Sequence, residues 1–411
     1  MNRRVVVTGM GGVCPIGQHW KEVRDSLQSG RSGVEYMAAW DDVDSLQTRL
    51  GAPVKGFEAP VHYPRKKTRA MGRLSLLATR ATELALSDAG LLDDPQLGAG
   101  RCGISYGSSS GSPPAIGVYG RQLFVNRTTR GIGANDFLQM MSHTCAANLA
   151  QFFEVTGRII PTSSACTSGT QGIGFGYEAI KYGLQDIMLT GGAEELGDID
   201  AAIFDVLYAS STRNDEPDQS PRPFDAERDG MVSGEGAGCL VLEELDHARK
   251  RGAPIHAEVI GYGTNCDGHH MTRPNRKGME RVMRLALADA GIEPGAIDYV
   301  NAHGTATEAG DITESHATFA VFGDATPVST LKGHLAHTLG ACGALEAWIS
   351  IEMMREGWVA PTLNLKTPDE RCAPLDYVRD DVRPLHFDTL MTNNLAFGGV
   401  NASLVFRRFD R

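Results

Sequence analysis

Leu84–Leu91 reads LALSDAGL, and Leu285–Ile292 reads LALADAGI. Each closes an amphipathic stretch with a glycine, the residue that most readily takes the left-handed conformation at a helix C-terminus. Each is followed by a short loop, a β-rich run and a turn of small residues: ISYGSSSG from Ile104 and YVNAHGTAT from Tyr299. A third pair comes later in each series. GEGAGCLVL (Gly234–Leu242) and GGVNASLVF (Gly398–Phe406) are both glycine-rich turns running into a strand. Three elements in the same order argue for an internal duplication. The expected halves are residues 1–252 and 253–411, joined near Lys250–Pro254.

Outside this echo, β-rich runs alternate with helical patterns. Strands are expected at Val5–Thr8, Ile104–Tyr106, Ile187–Thr190, Cys239–Leu242, His256–Ile260, Tyr299–Asn301 and Ser403–Phe406. Helices are expected at Leu74–Ala89, Ser168–Tyr182, Gly278–Ala290 and Leu345–Arg355. Such alternation predicts an α/β fold with sheets buried between helices. The 411 residues suffice for two or three domains without disulfides or metal. The 48 glycines lack any Gly-x-y period and cluster in short runs, so they mark tight turns or close backbone approaches.

A net charge of −11 gives no global basic field for nucleic acid. No run of 18 apolar residues exists, so no membrane insertion is expected. The opening MNRRVVVTGMGG reads as a strand rather than a signal peptide. The eight cysteines form no CxxC pair, which fits free thiols in a reducing, cytoplasmic setting.

The strongest chemical signal is PTSSACTSGT at Pro161–Thr170. Cys166 stands among small residues just before a helical pattern, where a helix N-terminus favours a thiolate. At an ordinary pKa only about 3% of a thiol is ionised at pH 7, so such help matters. A lone cysteine is usually buried and inert, but the small flanking residues leave room for a ligand. His303 ends a predicted strand in NAHGTAT. Lys332, His334 and His337 share LKGHLAHTLGACG, a loop before a helix. A cysteine with distant histidines is the layout of covalent thiol catalysis. CDGHHMTRP (Cys266–Pro274) has adjacent histidines and no second ligand pair, so no metal is assigned. GMGG at Gly9–Gly12 lacks the dinucleotide fingerprint. In YPRKKTRAMGR (Tyr63–Arg73), Lys66, Arg69 and Arg73 have helical spacing and are expected on one face. Such runs are usually solvated; the functional reading is docking of an acidic partner.

These motifs resemble those of the elongating β-ketoacyl-[acyl-carrier-protein] synthases, condensing enzymes of the thiolase-like superfamily. The resemblance runs from Val5 to Phe406. It rests on SSACTSG around Cys166, GGAEE at Gly191–Glu195 and RPFDAERDGMVSGEGAG at Arg222–Gly238. NAHGTAT with Gly310–Asp311, Lys332 with His337, and FGGVN at Phe397–Asn401 complete it. It implies a five-layer αβαβα fold of two duplicated halves and an acyltransferase activity. It makes Cys166 the acyl-accepting nucleophile, and His303 and His337 the pair that holds the malonyl thioester oxygen. Lys332, five residues before His337, makes His337 the better match than His334. Asp311 and Glu314 match the acidic pair after the first histidine, and Glu346 the glutamate on the following helix. Thr305 and Thr307 match threonines that bond the phosphopantetheine arm. Phe397 matches the gate residue whose N–H completes the oxyanion hole with that of Cys166. Ser110 falls at an acyl-pocket position, where a small residue implies room for longer or bulkier chains. Lys66 and Arg69 fall where the family docks its carrier protein.

The resemblance implies no metal and no redox cofactor, with substrates borne on the 4'-phosphopantetheine of acyl carrier protein. It also implies a homodimer, or a heterodimer with a related subunit. Three departures stand out. Ala336 replaces the usual glycine before the second histidine, and Leu395 and Ala396 replace Phe and Gly in the gate loop. They point to a specialised pathway, such as aryl-polyene assembly, beside housekeeping fatty acid synthesis. A chain-length-factor-like subunit would lack the nucleophilic cysteine, and a thiolase would need a second one; Cys342 falls at a plain alanine of the family.

Overall fold

A computed structural model describes residues 2–409, so residues 1, 410 and 411 of the two expected halves lie outside the described residues. The first five strands of the main sheet are β1 (Val5–Val13), β2 (Cys102–Gly107), β3 (Ile159–Thr162), β4 (Ile187–Glu194) and β5 (Gly236–Glu244). The next five are β6 (Ala257–Cys266), β7 (Tyr299–Asn301), β8 (Pro327–Ser329), β9 (Thr389–Leu395) and β10 (Val400–Arg408). The first set lies in the order β1-β5-β4-β2-β3, and the second in the order β6-β10-β9-β7-β8. In both, the first two junctions are antiparallel and the last two parallel. The two sets are thus the same topology written twice. They join where Val5–Val7 of β1 pairs antiparallel with Ala257–Val259 of β6. A short strand, Asp376–Tyr377, extends the β8 edge.

Six helices cover these strands: α1 (Arg73–Asp88), α2 (Thr144–Phe152), α3 (Ser168–Lys181), α4 (Arg276–Ala290), α5 (Glu308–Phe322) and α6 (Cys342–Glu356). Helices α1 and α2 lie outside the first set of strands, and α4 and α5 outside the second. Helices α3 and α6 pack against each other between the two. This is the five-layer α/β sandwich expected from the motifs. Every residue of β1 is buried. A strand covered on both faces reads as a continuous apolar run, without alternation.

The echo extends to the glycines. A Cβ on Gly9 of β1 would lie 2.2 Å from the carbonyl oxygen of Ala85 in α1. A Cβ on Gly261 of β6 would lie 2.4 Å from that of Ala286 in α4. Ala85 and Ala286 occupy the same place in LALSDAG and LALADAG. The GMGG run therefore serves helix-on-strand packing. Gly90 and Gly291 close the two helices at φ +65° and +66°.

Three further glycines bring the backbone together behind the site. A Cβ on Gly192 of β4 would lie 2.4 Å from the Gly340 oxygen and 2.8 Å from Gly169 Cα in α3. Gly192→Ala is expected to cost about 1–3 kcal/mol of stability, as overpacking does. The urea midpoint would show it, and an unchanged midpoint would disprove this close approach.

Candidate active site

Cys166 lies between β3 and α3 in a tight turn. The Thr167 N–H donates to the Ser164 carbonyl at 3.2 Å, and the Ser164 N–H to Ser168 Oγ at 2.9 Å. Ala165, just before the cysteine, has φ +49°. The second histidine is held by a neighbouring segment. Its N–H donates to the Val232 carbonyl at 2.8 Å, and its own carbonyl accepts from the Gly234 N–H at 2.9 Å. Ala336 precedes it at φ +57°, ψ −170°, a region that favours glycine. The glycine usual in the family would suit this backbone, and here alanine holds it under strain. Ala306 and Leu339 also have positive φ, so strained residues cluster around the site.

His337 Nε2 is 3.0 Å from Cys166 Sγ. The Leu339 N–H donates to His337 Nδ1 at 3.3 Å. A neutral imidazole accepting at Nδ1 carries its proton on Nε2. His337 is therefore a donor toward the sulfur. His303 follows β7, and its ring centre is 5.1 Å from that of His337. Glu314 holds this loop, accepting from the His303 and Gly304 N–H groups at 2.6 and 2.7 Å. Asp311 accepts from the Phe224 and Ala306 N–H groups at 2.7 and 3.1 Å. Both carboxyls thus bear on the backbone around His303. Lys332 Nζ is 2.5 Å from Glu346 Oε1, and both side chains are 1% exposed. His334 is separate, its ring nitrogens directed to the carbonyls of Arg31 and Pro361.

Burial, reinforced by the Lys332 charge, holds both His303 and His337 well below the usual imidazole range. Burial also pushes the Cys166 thiol up to about 12, against the pull of Lys332. Desolvation thus works against the thiolate-favouring pull of the helix N-terminus and of Lys332. Burial pulls Lys332 down, but the Glu346 carboxylate outweighs it, so Lys332 is held above its ordinary range as an ammonium.

The neutral histidines have a pH consequence. The unfolded chain takes up a proton on each imidazole near pH 6.5, where the folded chain does not. Their contribution to stability is full above pH 6.5 and is lost as pH falls. His303→Gln is expected to lose less stability than wild type between pH 6.5 and 5, by about 1–2 kcal/mol. Urea midpoints across that range test this, and parallel losses would refute it.

A cavity of about 630 Å3 is lined by Cys166, His303, His337, Thr305, Thr307 and Phe397, among others. The Thr305 and Thr307 hydroxyls are 2.9 Å apart. Phe397 packs at 5.7 Å on Phe204, beside Leu395 and Ala396. Ala396 is extended at φ −112°, ψ 161°, so its methyl causes no backbone strain here. Ser110 does not line this cavity.

The basic stretch departs from expectation. A single helical turn, Arg65–Thr68, ends before the extended Gly72 starts α1 afresh. Lys66, Arg69 and Arg73 therefore do not share one helix face. Lys66 and Arg69 are exposed. The Arg73 guanidinium instead meets the buried Glu235 at 2.6 Å, which withdraws it from a docking patch.

Cys166, His303 and His337 are the one group among the described residues whose Cys, His or carboxylate ligand atoms cluster tightly enough for a metal, all within 4.8 Å. The Cys266–His270 stretch forms no such group. Two site residues escaped the sequence reading. Glu194 accepts from the Ser109 and Gly340 N–H groups at 2.9 and 2.8 Å, and burial pushes its carboxyl up to about 8. An acid inside the uniformly buried GGAEE strand was its available signal. Asn394 touches the Lys332 ion pair and His303.

Residues 2–248 match the model of the β-ketoacyl synthase N-terminal domain, and residues 256–366 that of its C-terminal domain. The chain belongs to the β-ketoacyl synthase family. This β-ketoacyl synthase is thus an acyltransferase-type condensing enzyme. It is 38% identical, over 99% of both chains, to 3-oxoacyl-[acyl-carrier-protein] synthase 2 of Coxiella burnetii. It is also 38% identical to 3-oxoacyl-[acyl-carrier-protein] synthase 1 of Escherichia coli K12, again over 99% of both. Among solved structures, a β-ketoacyl synthase from Burkholderia phymatum superposes with TM-score 0.98 at 55% identity, over 99% of this chain and 100% of that one. The ishigamide ketosynthase/chain length factor superposes with TM-score 0.91 at 34% identity over the whole of both chains. No helix among the described residues of this synthase is long and apolar enough to cross a membrane.

Proposed function

We propose that this synthase condenses an acyl group with malonyl-[acyl-carrier-protein], giving a 3-oxoacyl-[acyl-carrier-protein] two carbons longer. The observation that carries this reading is the donor His337 Nε2 at 3.0 Å from Cys166 Sγ, with His303 beside it. In the first half-reaction Cys166 Sγ attacks the acyl thioester. Its carbon–sulfur bond to the carrier breaks, and the Cys166 proton leaves with the carrier thiol. In the second, a malonyl thioester lies with its carbonyl oxygen toward His303 and His337. Loss of CO2 leaves an enolate, whose oxygen needs donors already in place. Neutral imidazoles supply them, while the Lys332 charge favours negative charge nearby. The enolate carbon attacks the acyl-Cys166 carbonyl; the tetrahedral oxyanion takes the N–H groups of Cys166 and Phe397. Collapse releases the product, and Cys166 sulfur regains a proton from solvent.

Thr305 and Thr307, both on the cavity wall, suit the phosphopantetheine arm. Exposed Lys66 and Arg69 suit the acidic carrier. Phe124, Val125, Phe137 and Leu138 are exposed in the single chain, which supports a homodimer or a heterodimer covering them. No metal or redox cofactor enters the scheme, and a cytoplasmic location accords with it. The relatives' names support chain elongation of the fatty acid type. Leu395 and Ala396 in the cavity wall favour a dedicated assembly, such as an aryl polyene.

The test is product formation from malonyl carrier protein and a panel of saturated, unsaturated and aryl-polyene acyl carriers. Elongation of at least one is expected, and the preferred acyl group separates the two pathways. No elongation and no CO2 release would favour the non-catalytic, chain-length-factor-like partner subunit instead.

A further inference from the structure

Asn394 is the second of two adjacent asparagines at the end of β9, and it is fully buried. Its amide contacts fix its orientation. Nδ2 lies 2.8 Å from Glu346 Oε2. The Glu346 carboxylate, paired with Lys332, is only an acceptor, so this bond requires the nitrogen there. Oδ1 accepts from the Thr170 hydroxyl on the other side. One hydrogen of Nδ2 is thus committed to Glu346. The other is left facing His303 Nδ1 at 3.3 Å, shared with Cys342 Sγ at 3.3 Å, a weak acceptor.

We infer that Asn394 is a positioning residue that fixes His303 in the tautomer with its proton on Nε2, so that the histidine donates to a substrate oxygen. An imidazole that receives a hydrogen at Nδ1 must carry its own on Nε2. His337 obtains the same tautomer from the Leu339 backbone N–H, which truncating a side chain leaves in place. His303 depends on a side chain, and that side chain is itself oriented by the Lys332–Glu346 pair. The chain of influence therefore runs from Lys332 through Glu346 and Asn394 to His303. It gives the buried ion pair a task beyond supplying field. The catalytic consequence rests on the proposed condensation; the tautomer does not.

The experiment uses protein labelled with 15N-histidine, with His303 assigned by comparison with His303→Gln. The wild type is expected to show a protonated Nε2 at His303. Asn394→Asp replaces the donor by a carboxyl whose single proton is shared with Glu346, leaving an acceptor toward Nδ1. In that variant the proton is expected to move to Nδ1. Decarboxylation of malonyl carrier protein should fall about 100-fold, the effect of losing one preorganised donor. Acyl transfer to Cys166, read by intact mass, should stay within about threefold, because it does not need that donor. Asn394→Leu, which keeps the volume without an acceptor, should show both tautomers.

A wild-type spectrum with the proton on Nδ1 would overturn the inference, whether or not either variant folds. So would an unchanged tautomer in Asn394→Asp, or equal losses in both half-reactions. If the tautomer behaves as expected but the wild type neither loads acyl groups nor releases CO2, the positioning stands and the condensation reading fails.

Discussion

Cys166→Ala is expected to lose covalent acyl loading altogether and to lower condensation on the order of 100,000-fold. Removal of an attacking nucleophile has effects of that size because no neighbour replaces the covalent step. The other cysteines offer no substitute. Cys342 is the nearest in role, but burial lifts its thiol far above the ordinary range, and its Sγ is directed at the Cys166 carbonyl at 3.3 Å. Cys266 is exposed, and Cys14, Cys102, Cys145, Cys239 and Cys372 are buried in the core. Intact mass after incubation with acyl carrier protein reads the loading directly. One acyl mass on the wild type and none on the variant is the expected pair. An acyl mass persisting on Cys166→Ala would transfer the nucleophile elsewhere and remove the main chemical support for the mechanism.

Glu346→Leu is expected to destabilise the protein by about 3–5 kcal/mol, because it strands a buried ammonium. Lys332→Met should do comparable damage by stranding the carboxylate. The double substitution should be less harmful than either alone, since a well-packed apolar pair replaces two charges that must otherwise be desolvated together. Urea denaturation of all four proteins measures this. If the double variant loses the sum of the two single losses, the residues are energetically independent and the ion pair is not what holds this part of the core. The double variant would still be impaired in decarboxylation, because it removes both the local positive field and the acceptor that orients Asn394.

The duplication was legible because it is carried by periodicity and by glycine. Two helix ends and two glycine-led strands recur in the same order, and glycines at the recurring contacts are demanded by backbone approach. Cys166, His303, His337 and Lys332 could be found because each sits in a short turn next to a strand or helix, inside a motif that resembles the family's. Arg73 was misplaced for a definite reason. The helical spacing runs through Met71 and Gly72, where the buried methionine and extended glycine end one turn and begin another helix. The desolvation of the Cys166 thiol had no local signal, since burial is a tertiary property that local sequence does not carry. Asn394 had no signal of its own. Its importance arises from three partners, Thr170, His303 and Glu346, that come together only in the folded chain.

The order of strands has a bearing on how the molecule is made. β10, the last strand among the described residues, does not sit at a rim; it is bonded on both sides, to β9 and to β6. During synthesis the sulfur emerges long before either imidazole, and the sheet keeps an open slot in its middle until residues 400–408 arrive. A nascent or nicked polypeptide lacking that stretch would carry Cys166 without its partners' final placement. A cut within residues 400–408 is thereby expected to open the sheet between β6 and β9 rather than to trim an edge.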